Sequence, residues 1–380
     1  MSRYFIGLMS GTSLDGVDAV LADFSTADQP NAQPFPRILG HAFASFPSAL
    51  REELLALQIP DGQNELARSQ LAANQLVQLY TRVVNDLLRQ TRITAGQIEA
   101  LGVHGQTIRH QPELGYSIQL NNPALLAELT GIPVIAEFRS RDIAAGGQGA
   151  PLVPAFHAAV LQHPEQTRAI LNIGGMSNLS LLPAAALQPD APILGFDCGP
   201  GNVLLDTWIQ HHQNKPFDLD GEWAASGEYL PALLEWLMHE PYFSQQPPKS
   251  TGRDLFNLVW LEEQIALACA TPPAPQDVQA TLMMLTVQSI AQDLRRHAPH
   301  CQLVLVCGGG ARNPVLMRQL AKALPHLAWH TTDEFGIPAQ SMEALAFAWL
   351  AWRHQEKQPG NLPAVTGAKG LRTLGAYYPA

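Results

Sequence analysis

Cysteine is scarce in this chain, four among 380 residues. Cys198, Cys269, Cys301 and Cys307 are widely spaced and form no C-x-x-C pair, which argues against a zinc site and against a secreted disulfide framework. Small buried apolar positions are their expected role. Basic residues are in deficit, 23 Lys and Arg against 33 Asp and Glu, giving a formal charge of −10. No stretch gathers Lys and Arg with aromatics, so neither nucleic acid nor an anionic membrane is an expected partner. Long apolar runs are missing too. One uncharged run, 169–189, is long enough to raise the question of a membrane span. It is broken by Gly174-Gly175, Ser177-Asn178 and Pro183, which suits strand-turn-strand. No basic head with an apolar block and cleavage site opens the sequence, so a signal peptide is not expected and a cytoplasmic protein is. Apolar residues make up 46 % of a length ample for two packed domains.

The most informative run is 6–21, IGLMSGTSLDGVDAVL. Apolar residues alternate into a turn of small and acidic residues and out again through Val17, Ala19 and Leu21, the pattern of a β-hairpin. Its tip carries Ser10, Thr12, Ser13, Asp15 and Asp18, with Gly11 and Gly16 letting the backbone close around an anion. Hydroxyls add donors, and two carboxylates suit a hydrated magnesium ion. Such a tip can hold the terminal phosphates of a nucleotide. It is not a Walker loop, because no Gly-Lys-Ser/Thr follows a strand and opens a helix. Taken alone, Asp15-Gly16 is equally a simple tight turn.

Strands and helices alternate along the rest of the chain, which predicts α/β layers. A long helix is expected over about 64–90, with an apolar stripe at Leu76, Tyr80, Val83 and Leu87. Strand 100–104 leads to Gly105-Gln106-Thr107, and Asn122-Pro123 caps and opens a helix closing at Gly131. A second hairpin, 169–182, repeats the opening pattern. Two halves that each begin this way suggest a duplicated fold with the active site between them. The expected division is 1–138, with a C-terminal segment 356–380 packing back on it, and 139–355.

Asp197 ends a strand at Cys198-Gly199-Pro200-Gly201-Asn202, where a carboxylate could take a proton from a nucleophile or hold magnesium. Asp197 could also cap the following helix, although Asn202 is better placed for that. Gly308-Gly309-Gly310 with Asn313-Pro314 opening a helix reads as an adenosine site or as a tight strand-helix joint. Pro247-Pro-Lys-Ser-Thr-Gly-Arg253 offers two cations and two hydroxyls to phosphate or sugar, or is a solvated linker. Arg139 and Arg141 suit bidentate pairing with an anion, with a surface ion pair as the default. Glu343 reads as a surface glutamate on a helix, and His104 as a structural histidine.

Together, seven blocks resemble the bacterial anhydro-N-acetylmuramic acid kinases in order and over nearly the whole chain. They are Met9-Ser-Gly-Thr-Ser-Leu-Asp-Gly-Val-Asp18, Gly102-Val-His-Gly-Gln-Thr107, 141–154, Asn172-Ile-Gly-Gly-Met-Ser-Asn-Leu179, Phe196-Asp-Cys-Gly-Pro-Gly-Asn202, Pro248-Lys-Ser-Thr-Gly-Arg253 and Gly308-Gly-Gly-Ala-Arg-Asn-Pro314. The resemblance implies the two-domain α/β fold of actin, hexokinase and related sugar kinases, a duplicated ribonuclease H-like arrangement with an interdomain active-site cleft. It implies that 1,6-anhydro-N-acetylmuramic acid, ATP and water give N-acetylmuramic acid 6-phosphate and ADP, a step of peptidoglycan recycling. Carried over, Asp197 matches the catalytic base and Glu343 the acid that supports it. Gly11, Thr12, Ser13, Leu14, Asp15, Gly16, Val17 and Asp18 match the ATP-phosphate motif, with Asp15 and Asp18 near Mg2+. Gly308, Gly309, Gly310 and Asn313 fall on the nucleotide side, and Arg139, His104 and Thr107 on the sugar side, with Arg141 an alternative to Arg139. Cys198 stands where many members have Thr. A homodimer is what the family suggests.

Overall fold

A computed structural model of the chain describes residues 2–11, 14–25, 36–60 and 62–380. The chain divides into two compact units, one built from 1–160 with 341–380 and the other from 161–340. The expected boundaries at 138/139 and 355/356 therefore differ from the observed ones. Residues 139–160 and the helix Met342–Gln355 belong with the N-terminal unit, and that helix lies on its sheet.

In chain order the strands are β1 (Tyr4–Met9), β2 (Gly16–Asp23), β3 (Arg37–Ser45), β4 (Ile98–Val103), β5 (Gln106–Gln111), β6 (Tyr116–Leu120) and β7 (Val134–Ala136). They continue as β8 (Arg168–Ile173), β9 (Met176–Leu182), β10 (Leu194–Pro200), β11 (Leu303–Cys307), β12 (Ala328–Thr331) and β13 (Ala376–Tyr378). The first unit's sheet has the order β13-β7-β4-β1-β2-β3, and the second unit's has β10-β9-β8-β11-β12. Beginning from the opening hairpin, both repeat one scheme. Strand β2 pairs antiparallel with β1 on one side and β3 on the other, as β9 does with β8 and β10. Strand β1 then pairs parallel with β4 and β4 with β7, just as β8 pairs parallel with β11 and β11 with β12. The duplication that two polar-tipped hairpins suggested is thus a shared topology.

The alternation in the opening hairpin sorts its side chains onto two faces. Ile6, Leu8, Val17, Ala19 and Leu21 join a core with Leu76, Tyr80, Val83 and Leu87 of the helix Glu65–Thr91. On the other face lies the helix Met342–Gln355, buried from Ala344 to Trp352. It can lie flush because Gly7 and Gly102 carry no side chain. A Cβ on Gly7 would overlap the carbonyl oxygen of Ala344, and one on Gly102 would overlap that of Phe347. Phe24 stacks on Trp352 at 5.5 Å and closes the far end of this layer. In the second unit the helix Pro275–His297 buries Leu282, Leu285, Ile290 and Leu294 in a core with Phe196, Cys198 and Val304.

Candidate active site

The hairpin tip is braced from within its own unit. Ser10 is buried, its hydroxyl donating to the Gly105 carbonyl at 3.0 Å and sharing a 2.8 Å hydrogen bond with the Tyr80 hydroxyl. It is therefore committed to structure rather than offered to a phosphate. Gln106 is buried and donates from Nε2 to the Gly11 carbonyl at 3.2 Å. Leu14 and Val17 point into the core, so only their main chain can face a nucleotide. Thr12 and Ser13 lie outside the described residues. Asp15 is exposed, while Asp18 is partly exposed with one oxygen 2.9 Å from His41 Nε2. Hydrated magnesium on a nucleotide needs one or two carboxylates beside phosphate and water oxygens. An exposed Asp15 and the second oxygen of Asp18 fit that donor set, and no three such ligating side chains cluster among the described residues.

A second group forms next to this tip. His104 Nδ1 lies 3.1 Å from the Ser10 carbonyl, and its Nε2 lies 3.0 Å from Arg139 Nη2. A guanidinium only donates, so Nε2 must be the acceptor and the ring proton must sit on Nδ1. Burial first, and the Arg139 charge second, hold His104 neutral by lowering its pKa to about 3. Burial also lowers Arg139 to about 10, opposed by the charge of Glu343. Arg139 donates from Nη1 to the Gly149 carbonyl at 3.0 Å, and its Nε is buried with no partner among the described residues. An orphaned guanidinium N–H of this kind suits an incoming carboxylate. Arg141, two residues on and so turned to nearly the opposite side of the helix, is exposed, and Arg139 is the arginine that joins His104 and Glu343. Thr107, half-buried on β5, accepts from Gln119 at 3.4 Å. Glu343 is half-buried rather than exposed. It occupies the first turn of a helix buried along most of its length.

In the second unit, Asp197 lies on β10 at a register shift against β9. Its amide N–H donates to the Lys249 carbonyl at 3.1 Å, and its Oδ2 accepts from the Thr251 amide at 3.0 Å. Burial raises its pKa to about 6, with the Thr251 N–H and the Lys249 charge pulling the other way. Asp197 therefore does not cap a helix. Asn202 stands at the N-cap position of Val203–Gln213 but makes no side-chain cap, because its amide donates to the Ile173 carbonyl at 3.2 Å.

The Gly-rich turn after β11 has one exposed residue, Gly309, around which an added Cβ meets only Asn202 Nδ2, at 3.8 Å. A flat ligand could approach the backbone there. Gly308 has φ 78° and Gly310 is packed on Ile173, so both shape the joint rather than face outward. Asn313 caps Pro314–Ala323 as expected, accepting from Val315 and Leu316 at 3.1 and 3.0 Å. Its oxygen is thereby used in the cap.

Lys249 overturns the reading of the 247–253 loop as a pair of phosphate-binding cations. Its ammonium is buried against Asp293, at 3.1 and 3.0 Å from the two carboxylate oxygens. Sequence reasoning passed over Asp293, although a signal was present. It is the one charged residue in the stretch 278–294, one helical turn after Ile290 and next to Leu294. Asp142 was also read only as part of a motif. It is fully buried and receives hydrogen bonds from the Gly149 amide, Asn361 Nδ2 and the Thr366 hydroxyl at 2.8, 2.7 and 2.8 Å.

Comparison with known proteins agrees with these motifs. The family described as anhydro-N-acetylmuramic acid kinase matches residues 3–380. A protein of that name from Variovorax paradoxus is 55 % identical over 99 % of this chain and 99 % of its own length. One from Cupriavidus metallidurans is 52 % identical over 100 % of this chain and 98 % of its own. Solved structures superpose only loosely. Component A of (R)-2-hydroxyglutaryl-CoA dehydratase from Acidaminococcus fermentans reaches a TM-score of 0.49 at 13 % identity, over 93 % of this chain and 100 % of that one. With its profile matched from end to end and relatives above half identity, this chain belongs to the anhydro-N-acetylmuramic acid kinase family.

Proposed function

We propose that this protein is a kinase that opens 1,6-anhydro-N-acetylmuramic acid with water and phosphorylates O6 from ATP, giving N-acetylmuramic acid 6-phosphate and ADP in peptidoglycan recycling. The observation that carries the reading is the Asp197 carboxyl, buried with one oxygen held by the Thr251 N–H and its pKa raised to about 6. That is the condition of a general base matched to neutral pH.

The substrate explains why a base is needed. Its bridge joins C1 to O6, so position 6 has no hydroxyl to phosphorylate. Water attacks C1, its proton passes to Asp197, the C1–O6 bond breaks, and O6 forms the new bond to the γ-phosphorus as the β–γ bridge breaks. Arg139 is assigned to the lactyl carboxylate of the sugar, with His104 fixing its guanidinium and Thr107 nearby as a sugar contact. Glu343 balances the Arg139 charge and supports the base. The tip 11–18 and the turn at Gly309 are assigned to ATP. Asp15 and Asp18 would hold hydrated magnesium, which neutralises phosphate charge when bound. A cytoplasmic homodimer completes this reading. Among the described residues no helix is long and apolar enough to cross a membrane.

The test is product mass spectrometry in oxygen-18 water. Label should appear at C1, with an added phosphate at O6. An ordinary sugar kinase would give phosphorylated product without label. Asp197→Asn should lower kcat by roughly 10²–10⁴-fold with ATP affinity little changed.

A further inference from the structure

Lys249 and Asp293 form a salt bridge whose two side chains are each 1 % exposed. The ammonium also packs over the rings of Tyr242 and Phe196, 5.1 and 5.8 Å from their centroids. The Cys198 thiol neighbours the Asp293 carboxylate, and His297 Nε2 stands 3.9 Å from it. The salt bridge is far more deeply buried than the pairs of Arg3 with Glu99 and Glu356, of Arg68 with Glu53 or of Arg109 with Glu65. Such a pair is a poor way to gain stability. Desolvating two charges offsets most of their attraction, and two apolar side chains of similar volume do as well.

Its location suggests another use. The main chain around Lys249 grips Asp197 twice, through the Lys249 carbonyl and the Thr251 amide, at 3.1 and 3.0 Å. Tyr242, which covers the ammonium, donates its hydroxyl to the Asp197 carbonyl at 2.8 Å. The Lys249 side chain thus pins the 249–251 turn to the helix Pro275–His297, and the turn holds one oxygen of Asp197. We propose that the buried Lys249–Asp293 pair is a positioning device for Asp197, fixing the orientation of its carboxylate and keeping a cation beside it. This rests on the reading of Asp197 as the base. The arrangement accounts for a charge where a hydrophobic residue would pack as well. A methyl-terminated side chain could fill the space, but it could not favour the ionised carboxylate.

The charged and titratable groups around the pair are Asp197 and Cys198 on β10, Tyr242, and His297 with Arg296 on the helix. Of the pair, Lys249 is the member whose charge acts on Asp197, drawing its pKa down against burial. Losing that cation therefore moves the acid limb of kcat to higher pH.

The deciding variant is the double substitution Lys249→Met with Asp293→Leu, which removes both charges and leaves neither unpaired. It should fold with a cooperative melt and keep the KM values of ATP and sugar. Its kcat should fall between about 10- and 100-fold, the scale of a misplaced reacting group, and its acid limb should rise. Wild-type kcat and pH profile in a folded double variant overturn the proposal. Should that variant not fold, Lys249→Gln keeps a hydrogen bond to Asp293 without the cation. A raised acid limb there supports the proposal, and an unmoved limb overturns it. Asp197→Asn separates the two levels. If it is inactive while the double variant is unchanged, only the positioning role fails; if it turns over normally, the base assignment fails first.

Discussion

The carboxyl of Asp197 is governed by opposing influences of unequal size. Burial favours the neutral acid, while one backbone N–H and one cation favour the anion, and burial wins, leaving a pKa of about 6. A general base works only as the anion. Activity should therefore be present above this pKa and fall as pH drops through about 6, whereas an exposed aspartate would hold its charge to about 4. For stability the sign reverses. Between the unfolded and folded pKa values the native state holds a proton that the unfolded chain has released, so this group's contribution weakens as pH rises through that window. A kcat–pH profile and melts across the same range check both. If turnover stays flat down to pH values near 4, the buried carboxyl is not the group that limits catalysis.

At the level of elements, the hairpins and helix ends were readable because their causes are local. Alternation gave β1–β2 and β8–β9, the stripe through Tyr80 gave Glu65–Thr91, and Asn122 and Asn313 cap the helices they were expected to cap. The roles proposed for Asp197, Arg139 and Glu343 come from resemblance, and no local pattern announced what surrounds these side chains. Lys249 meets Asp293 across 44 positions and Asn361 meets Asp142 across 219, and no local pattern states such pairings. The docking of Met342–Gln355 was hidden for the same reason. Two glycines read as ordinary strand residues, yet they decide how closely that helix lies on the sheet. Gly102→Ala should destabilise the protein by about 1–3 kcal/mol or more, since the methyl must displace helix backbone. Urea unfolding at constant m-value measures this. Gly96→Ala, where an added Cβ meets nothing within 4 Å, is the matched control and should be close to neutral. Equal midpoints for the two variants would mean that the sheet yields more easily than its packing implies.

Across the whole molecule, the chain returns to its first unit for the last 40 residues, 341–380. The return is covalently distant but tightly bonded. Strand β13 extends the sheet beside β7, Arg3 pairs with Glu356, and the segment after the helix delivers Asn361 and Thr366 to Asp142. That carboxylate in turn fixes the Gly149 amide, and the Gly149 carbonyl receives Arg139. A chain of hydrogen bonds thus runs from the C-terminal segment to the arginine assigned to the sugar. Asp142→Ala breaks it in the middle, leaving donors of Asn361, Thr366 and Gly149 without their shared acceptor. Bonds to a charged acceptor are worth about 1.5–3 kcal/mol each, so the melt should fall clearly. The kinetic consequence should be selective. With its carbonyl anchor loosened, Arg139 should hold the sugar less well, raising KM for the anhydro-sugar while KM for ATP stays unchanged. A rise in both constants together would instead mean that the segment supports the unit as a whole, with no preferred line to Arg139.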